Sequence, residues 1–145
     1  MTYMWADTLF TAERAHLLRL LAWAVASVLV GTALLAWLRG TRRQSQLLDH
    51  FAIQTVAWGA IDLVLALVAF QALDIRDLRG ATQLDRTLWL NIGLDAGYIL
   101  VGTTLLVVGW RLGRRLGLMG AGLGVIVQGC ALAVLDLVLA SQISR

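Results

Sequence analysis

Gln54 to Ala66 reads QTVAWGAIDLVLA and Gln128 to Ala140 reads QGCALAVLDLVLA, with seven of the thirteen positions identical at a constant offset of 74. The glutamine and the aspartate align along with the apolar residues. Each segment lies inside an apolar run long enough to cross a hydrocarbon core of about 30 Å, which takes roughly 20 helical residues. Two related segments of this kind are expected from duplication of one membrane-spanning unit.

Working outward, Val30 to Leu35 (VGTALL) matches Val101 to Leu106 (VGTTLL) at an offset of 71, so a first apolar run pairs with a third as the second pairs with the fourth. The runs extend over Leu20–Leu38, Phe51–Leu73, Leu88–Trp110 and Leu116–Ala140. They lack the alternation of strands, and only a closed barrel satisfies strand backbones in lipid, so they are read as helices. Because each unit holds two spans, both copies enter the membrane in the same direction. The expected fold is all-α: a four-transmembrane-helix bundle made of two parallel repeats of a two-helix hairpin, in one transmembrane domain over residues 1–145.

Composition agrees. The chain is 59% hydrophobic and 14% charged, with a mean hydropathy of +0.78, more apolar surface than a soluble core hides. Its twelve basic residues are all Arg and give a formal charge of +3. They stand between apolar runs, which suits contact with lipid headgroups and argues against a nucleic-acid partner. The first run, longer than a signal-peptide core and preceded by Asp7, is expected to remain as a span.

Arginine asymmetry orients the bundle. The first and third links carry six Arg (Arg39, Arg42, Arg43, Arg111, Arg114, Arg115), whereas the middle link carries Arg76, Arg79 and Arg86. The positive-inside rule then places both termini outside the cytoplasm. Trp37, Trp89 and Trp110 fall at span ends, as interfacial aromatics do, and Tyr3, Trp5 and Phe10 are expected to anchor the N-terminal segment. Short loops without glycosylation motifs suit a multi-pass protein of a bacterial inner (plasma) membrane.

Polar residues inside the spans make the candidate site. Gln54, Trp58 and Asp62 share one side of the second helix, and Gln128, Leu132 and Asp136 repeat that geometry on the fourth. Asn91, Asp95, Tyr98 and Gly102 form a stripe on the third. An ionisable group at mid-membrane costs on the order of 2.5 to 3.5 kcal/mol, so these carboxyl groups are expected to face protein or water. They serve either as interhelical hydrogen-bonding groups, with Arg19 pairing to Asp95, or as a proton, cation or small-molecule site.

Other chemistry finds little support. His16 and His50 flank the first and second runs on opposite sides of the membrane, which opposes a haem held by both, and they are read as interface or capping residues. Cys130 is a lone thiol, expected as a small packing residue. No cofactor, metal or catalytic constellation is expected. The glycine pairs Gly93/Gly97 and Gly120/Gly124 have the G-x-x-x-G spacing of close helix packing.

The pattern N-x-G-L-D-x-G-Y over Asn91 to Tyr98, followed by Q-G-x(6)-D over Gln128 to Asp136, resembles an uncharacterised family of small bacterial four-helix integral membrane proteins. The resemblance covers the second to fourth spans and implies fold and membrane location, without a mechanism or site residues. The function expected is that of an accessory or scaffold subunit associating with a larger membrane complex or with itself. The alternative is a small proton- or cation-coupled transporter or channel using Asp62, Asp95, Asp136, Gln54, Gln128, Asn91 and Tyr98.

Overall fold

Four helices make up the computed structural model, which describes residues 4–143: α1 (Met4–Gly40), α2 (Gln46–Gln71), α3 (Leu78–Arg111) and α4 (Leu116–Ile143). All four are long and apolar enough to cross a membrane. They alternate in direction, so the α2–α3 link lies at the same end of the bundle as the start of α1 and the end of α4.

Burial recurs every seven residues. The buried positions include Leu17, Ala24, Gly31 and Leu38 on α1, Ala52, Gly59 and Ala66 on α2, Leu88, Asp95, Gly102 and Gly109 on α3, and Gly122, Gly129 and Asp136 on α4. That interval, 3.5 residues per turn, is the spacing of left-handed helix packing. The seams are built of small residues so that backbones approach closely, because lipid removes the hydrophobic drive that packs large side chains in water. Large apolar residues accordingly face outward: Leu29, Val64, Leu90, Leu100 and Val134 are all about 60% exposed or more. A surface of that kind is stable only in lipid, and the chain is a membrane protein.

The helices pair as hairpins, α1 on α2 and α3 on α4, and the hairpins meet chiefly through α2 and α4. Gly31 of α1 closes on Ala52 and Val56 of α2, and Gly102 of α3 closes on Gly122 and Ile126 of α4. Gly120 and Gly124 pack against α2, at Leu47 and Gln54 respectively, whereas Gly93 and Gly97 have open space where a Cβ would stand. The two arginine turns are also alike. Arg42 and Arg114 take positive φ (51° and 59°), and Arg43 and Arg114 lie over the rings of Trp37 and Trp110 at 5.5 and 4.9 Å.

Two helices begin earlier than the apolar runs predict. α1 starts at Met4 and not near Leu20, and α3 at Leu78 and not near Leu88. The extra turns hold charged residues that interrupt hydropathy without breaking a helix, since they contain no proline and many good helix formers. Asp77 caps α3, its side chain accepting from the Gly80 N–H at 2.7 Å. Trp5 is exposed at the start of α1 and Phe10 half-buried, while Tyr3 lies outside the described residues. Cys130 is exposed on the bundle surface, contrary to the packing role expected of it. It points away from the α4 seam that Gly129 occupies.

Candidate functional site

The α1–α4 contact is closed, but no comparable contact joins α2 to α3, and the difference leaves a cleft of about 570 Å³ at the end of the bundle holding the α2–α3 link. On α3 its wall runs from Leu84 to Tyr98, about 20 Å at 1.5 Å per residue. Trp58 and Tyr98 meet at its floor with ring centroids 5.0 Å apart.

Residues at matching positions of the two hairpins face the same cleft. Glu13, His16, Leu17 and Leu20 line it from α1, and Leu84, Thr87, Leu88 and Asn91, each 71 residues later, line it from α3. Trp58, Asp62 and Leu65 of α2 correspond likewise to Leu132, Asp136 and Leu139 of α4. The α1 set contributes longer polar side chains that reach across and tie helices together. The α3 set contributes Leu84 and Thr87 where α1 has Glu13 and His16, and that side stays open.

Three tiers of polar contact descend from the rim. At the top, Arg76 in the α2–α3 link donates to Glu13 through Nε at 2.8 Å and Nη2 at 2.6 Å. This two-pronged bond to a buried carboxylate raises the Arg76 guanidinium above its usual range, against the smaller opposing effect of burial. Below it, His16 Nε2 stands 3.4 Å from Asp136 Oδ1. Deeper, the Trp23 indole N–H donates to Gln128 Oε1 at 3.1 Å, and Gln128 Nε2 donates to Asp62 Oδ2, linking α1, α4 and α2.

Asp95 is the exception. Its residue exposure is 3%, it lines the cleft, and its Oδ2 is buried without a hydrogen-bond partner among the described residues. An unmatched buried carboxyl oxygen costs about 1 to 3 kcal/mol or more. Packing does not require it, because the matching seam position on α1 is Ala24, fully buried against Gly59. The Arg19 expected to pair with Asp95 is exposed and makes no ion pair with it.

Of the residues singled out from sequence, the cleft gathers Asp62, Asp95, Asp136, Asn91 and Tyr98, with Asn91 exposed at its open side. Gln128 stands behind Asp62 as its donor. Gln54 is not part of it: its side chain packs on Gly124, one turn beyond Trp58 and away from the rim. The position matching Trp23 on α3 is Leu94, so no corresponding indole reaches Gln54. Glu13, His16, Trp23 and Arg76 belong to the site and were not assigned to it from sequence. No periodic signal finds Glu13 and His16, because the seven-residue interval through Leu17, Ala24 and Gly31, continued backward, reaches Phe10, which is only half-buried. His50 sits at the other end of the bundle, beside Gly117.

No three His, Cys, Asp or Glu side chains among the described residues converge so as to hold a metal ion. The arrangement offers a mostly apolar chamber with one unmatched carboxyl oxygen, on Asp95, and three further carboxyl groups, on Glu13, Asp62 and Asp136, already engaged. It suits a ligand bearing positive charge or hydrogen-bond donors. No curated protein and no solved structure matches the chain. The Family of unknown function (DUF6992) matches residues 19–137, from within α1 to near the end of α4, and the chain belongs to that family.

Proposed function

We propose that this protein binds a positively charged species in the cleft and works as a small cation-coupled transporter or carrier, with Asp95 as the group that meets the charge. The observation carrying the proposal is the partnerless Oδ2 of Asp95, buried on the cleft wall at a seam position where α1 manages with alanine. Asp62 is held by Gln128 and Asp136 by His16, so they frame the site while Asp95 remains available. The site belongs to a bacterial inner-membrane protein built by duplication of one hairpin, and both offsets and the paired cleft residues support that history. The arginine turns face the cytoplasm, which sets the cleft in the outer half of the bilayer with both termini outside. A reporter active only in the cytoplasm, fused at the C-terminus, should stay silent.

The test uses a membrane-permeant carbodiimide on the full chain in native lipid, with mass spectrometry reading modification of Asp95. At least one class in a panel of sodium, potassium, tetraethylammonium and alkyltrimethylammonium ions should slow labelling about tenfold, the effect of a charge-assisted contact worth roughly 1.4 kcal/mol. Labelling indifferent to every cation would sink the proposal.

A second reading, an accessory subunit or homo-oligomer, draws support from Gly93 and Gly97, whose spacing suits helix pairing and where an added Cβ would meet nothing within 4 Å among the described residues. Gly93→Leu should then release a stoichiometric partner from detergent-extracted material. Unchanged mass on size-exclusion chromatography with light scattering would remove that reading.

A further inference from the structure

The cleft is bridged by an ion pair at its link end and bordered by apolar residues at its side. At its water-facing end the Glu13–Arg76 bridge straps α1 to the α2–α3 link, both partners lining the cleft. At its side, where α2 and α3 stand apart, the lips are Ile61, Leu65, Val68 and Leu94, cleft-lining residues between 47% and 60% exposed. A hydrated inorganic ion gains nothing from such lips, because it would shed water against aliphatic side chains before reaching a carboxylate. A metal would also find no set of converging ligands. A bare ion would leave most of about 570 Å³ unfilled, whereas that volume is in the range of sites for small organic molecules.

From these observations we infer that the ligand is an amphipathic organic cation, an ammonium head on an aliphatic chain, which enters sideways from the bilayer between α2 and α3. The inference rests on the cation-binding reading of Asp95 and names its substrate class. The head meets the carboxyl group of Asp95, whose Oδ2 has no partner among the described residues, with the Trp58 and Tyr98 rings below it as faces that attract a cation. The chain lies along the apolar walls and emerges between the lips into lipid. Asn91, exposed at the open side four residues before Asp95, offers an amide to a head passing inward.

The test measures saturable binding of ethyl-, hexyl- and octyltrimethylammonium to the full chain in lipid nanodiscs, with uptake by empty nanodiscs subtracted and octanol as the neutral control. Affinity referred to the aqueous concentration should rise about fourfold per added methylene, from about 0.8 kcal/mol per buried CH₂. Asp95→Asn should weaken all three ligands about tenfold or more without changing that slope. Leu94→Trp keeps every carboxyl group and narrows the lips, so it should slow association of the octyl ligand most. Sodium or potassium protecting Asp95 while no alkylammonium binds would overturn this inference and leave the cation reading standing. Octanol binding as well as the octyl cation, with Asp95→Asn indifferent, would overturn both. Should Asp95→Asn fail to fold, an association rate unchanged by Leu94→Trp overturns the sideways route, and its slowing supports it.

Discussion

His16 on α1 and Asp136 on α4 form a buried pair, with Nε2 3.4 Å from Oδ1, while Nδ1 of the same ring lies 3.3 Å from the Leu135 carbonyl oxygen. A carbonyl can only accept, so Nδ1 carries a hydrogen and donates it. Nε2 then faces the Asp136 carboxyl group. The ring is therefore fixed by one backbone bond and one side chain of the same helix, and α1 is held against α4 at a height where the matching Thr87 of α3 cannot do the same for α2.

Removing either partner leaves the other buried without its counterpart. His16→Ala and Asp136→Ala should each cost about 3 kcal/mol, the lower end for breaking a buried pair. The double variant should cost distinctly less than the two together. Unfolding by sodium dodecyl sulfate in mixed micelles measures all three, and strict additivity would show that the residues do not interact.

Close approach distinguishes two glycines of identical motif. At Gly120 the Leu47 carbonyl of α2 occupies the space a Cβ would need, and backbone cannot rotate aside. Gly120→Ala should separate α2 from α4 and destabilise by about 1 to 3 kcal/mol. Gly93→Ala meets nothing within 4 Å and should be neutral or stabilising by up to about 1 kcal/mol through helix propensity. Equal effects in the same unfolding assay would contradict the assigned packing.

Gln128 joins three helices by accepting from Trp23 and donating to Asp62. Gln128→Leu leaves a half-buried indole N–H and a buried carboxyl oxygen unmatched and should cost about 2 kcal/mol or more. Trp23→Phe removes one donor and should cost about 1 kcal/mol. The reverse order of severity would show that the indole, and not the amide, holds the junction.

The rim bridge has a defined pH sense. Glu13 raises the Arg76 guanidinium above its ordinary value, so the stabilisation is complete below that value and is lost only as pH rises through the still higher folded one. Between neutrality and about pH 10 the Arg76 contribution should stay constant. Arg76→Gln should cost about 1 to 3 kcal/mol throughout that window, since the Glu13 side chain is only 8% exposed. The charge-swapped pair Glu13→Arg with Arg76→Glu should recover part of it.

Much of the fold was legible because membrane helices advertise themselves. Apolar runs of about 20 residues, the absence of alternation and the two offsets need no tertiary information. The carboxyl groups at Asp62, Asp95 and Asp136 stood out for the same reason, since a charge-bearing side chain amid apolar residues must find protein or water. Glu13 was not singled out and His16 was read as an interface or capping residue, because both lie outside the apolar runs and nothing local shows that α1 continues inward-facing through that stretch.

By itself the sequence determined that there are four helices, which segments are long and apolar enough to cross a membrane and which polar residues are costly to expose to lipid, all consequences of how each side chain interacts with its solvent. Only the tertiary structure decided that Asp62 and Asp136 have partners while Asp95 has none among the described residues, that Gln54 packs apart from the cleft, and that α2 and α3 stand open where α1 and α4 close. Those outcomes turn on side-chain reach between helices distant in the chain: His16 and Trp23 bridge to α4, whereas Thr87 and Leu94 at the matching positions of α3 leave a gap.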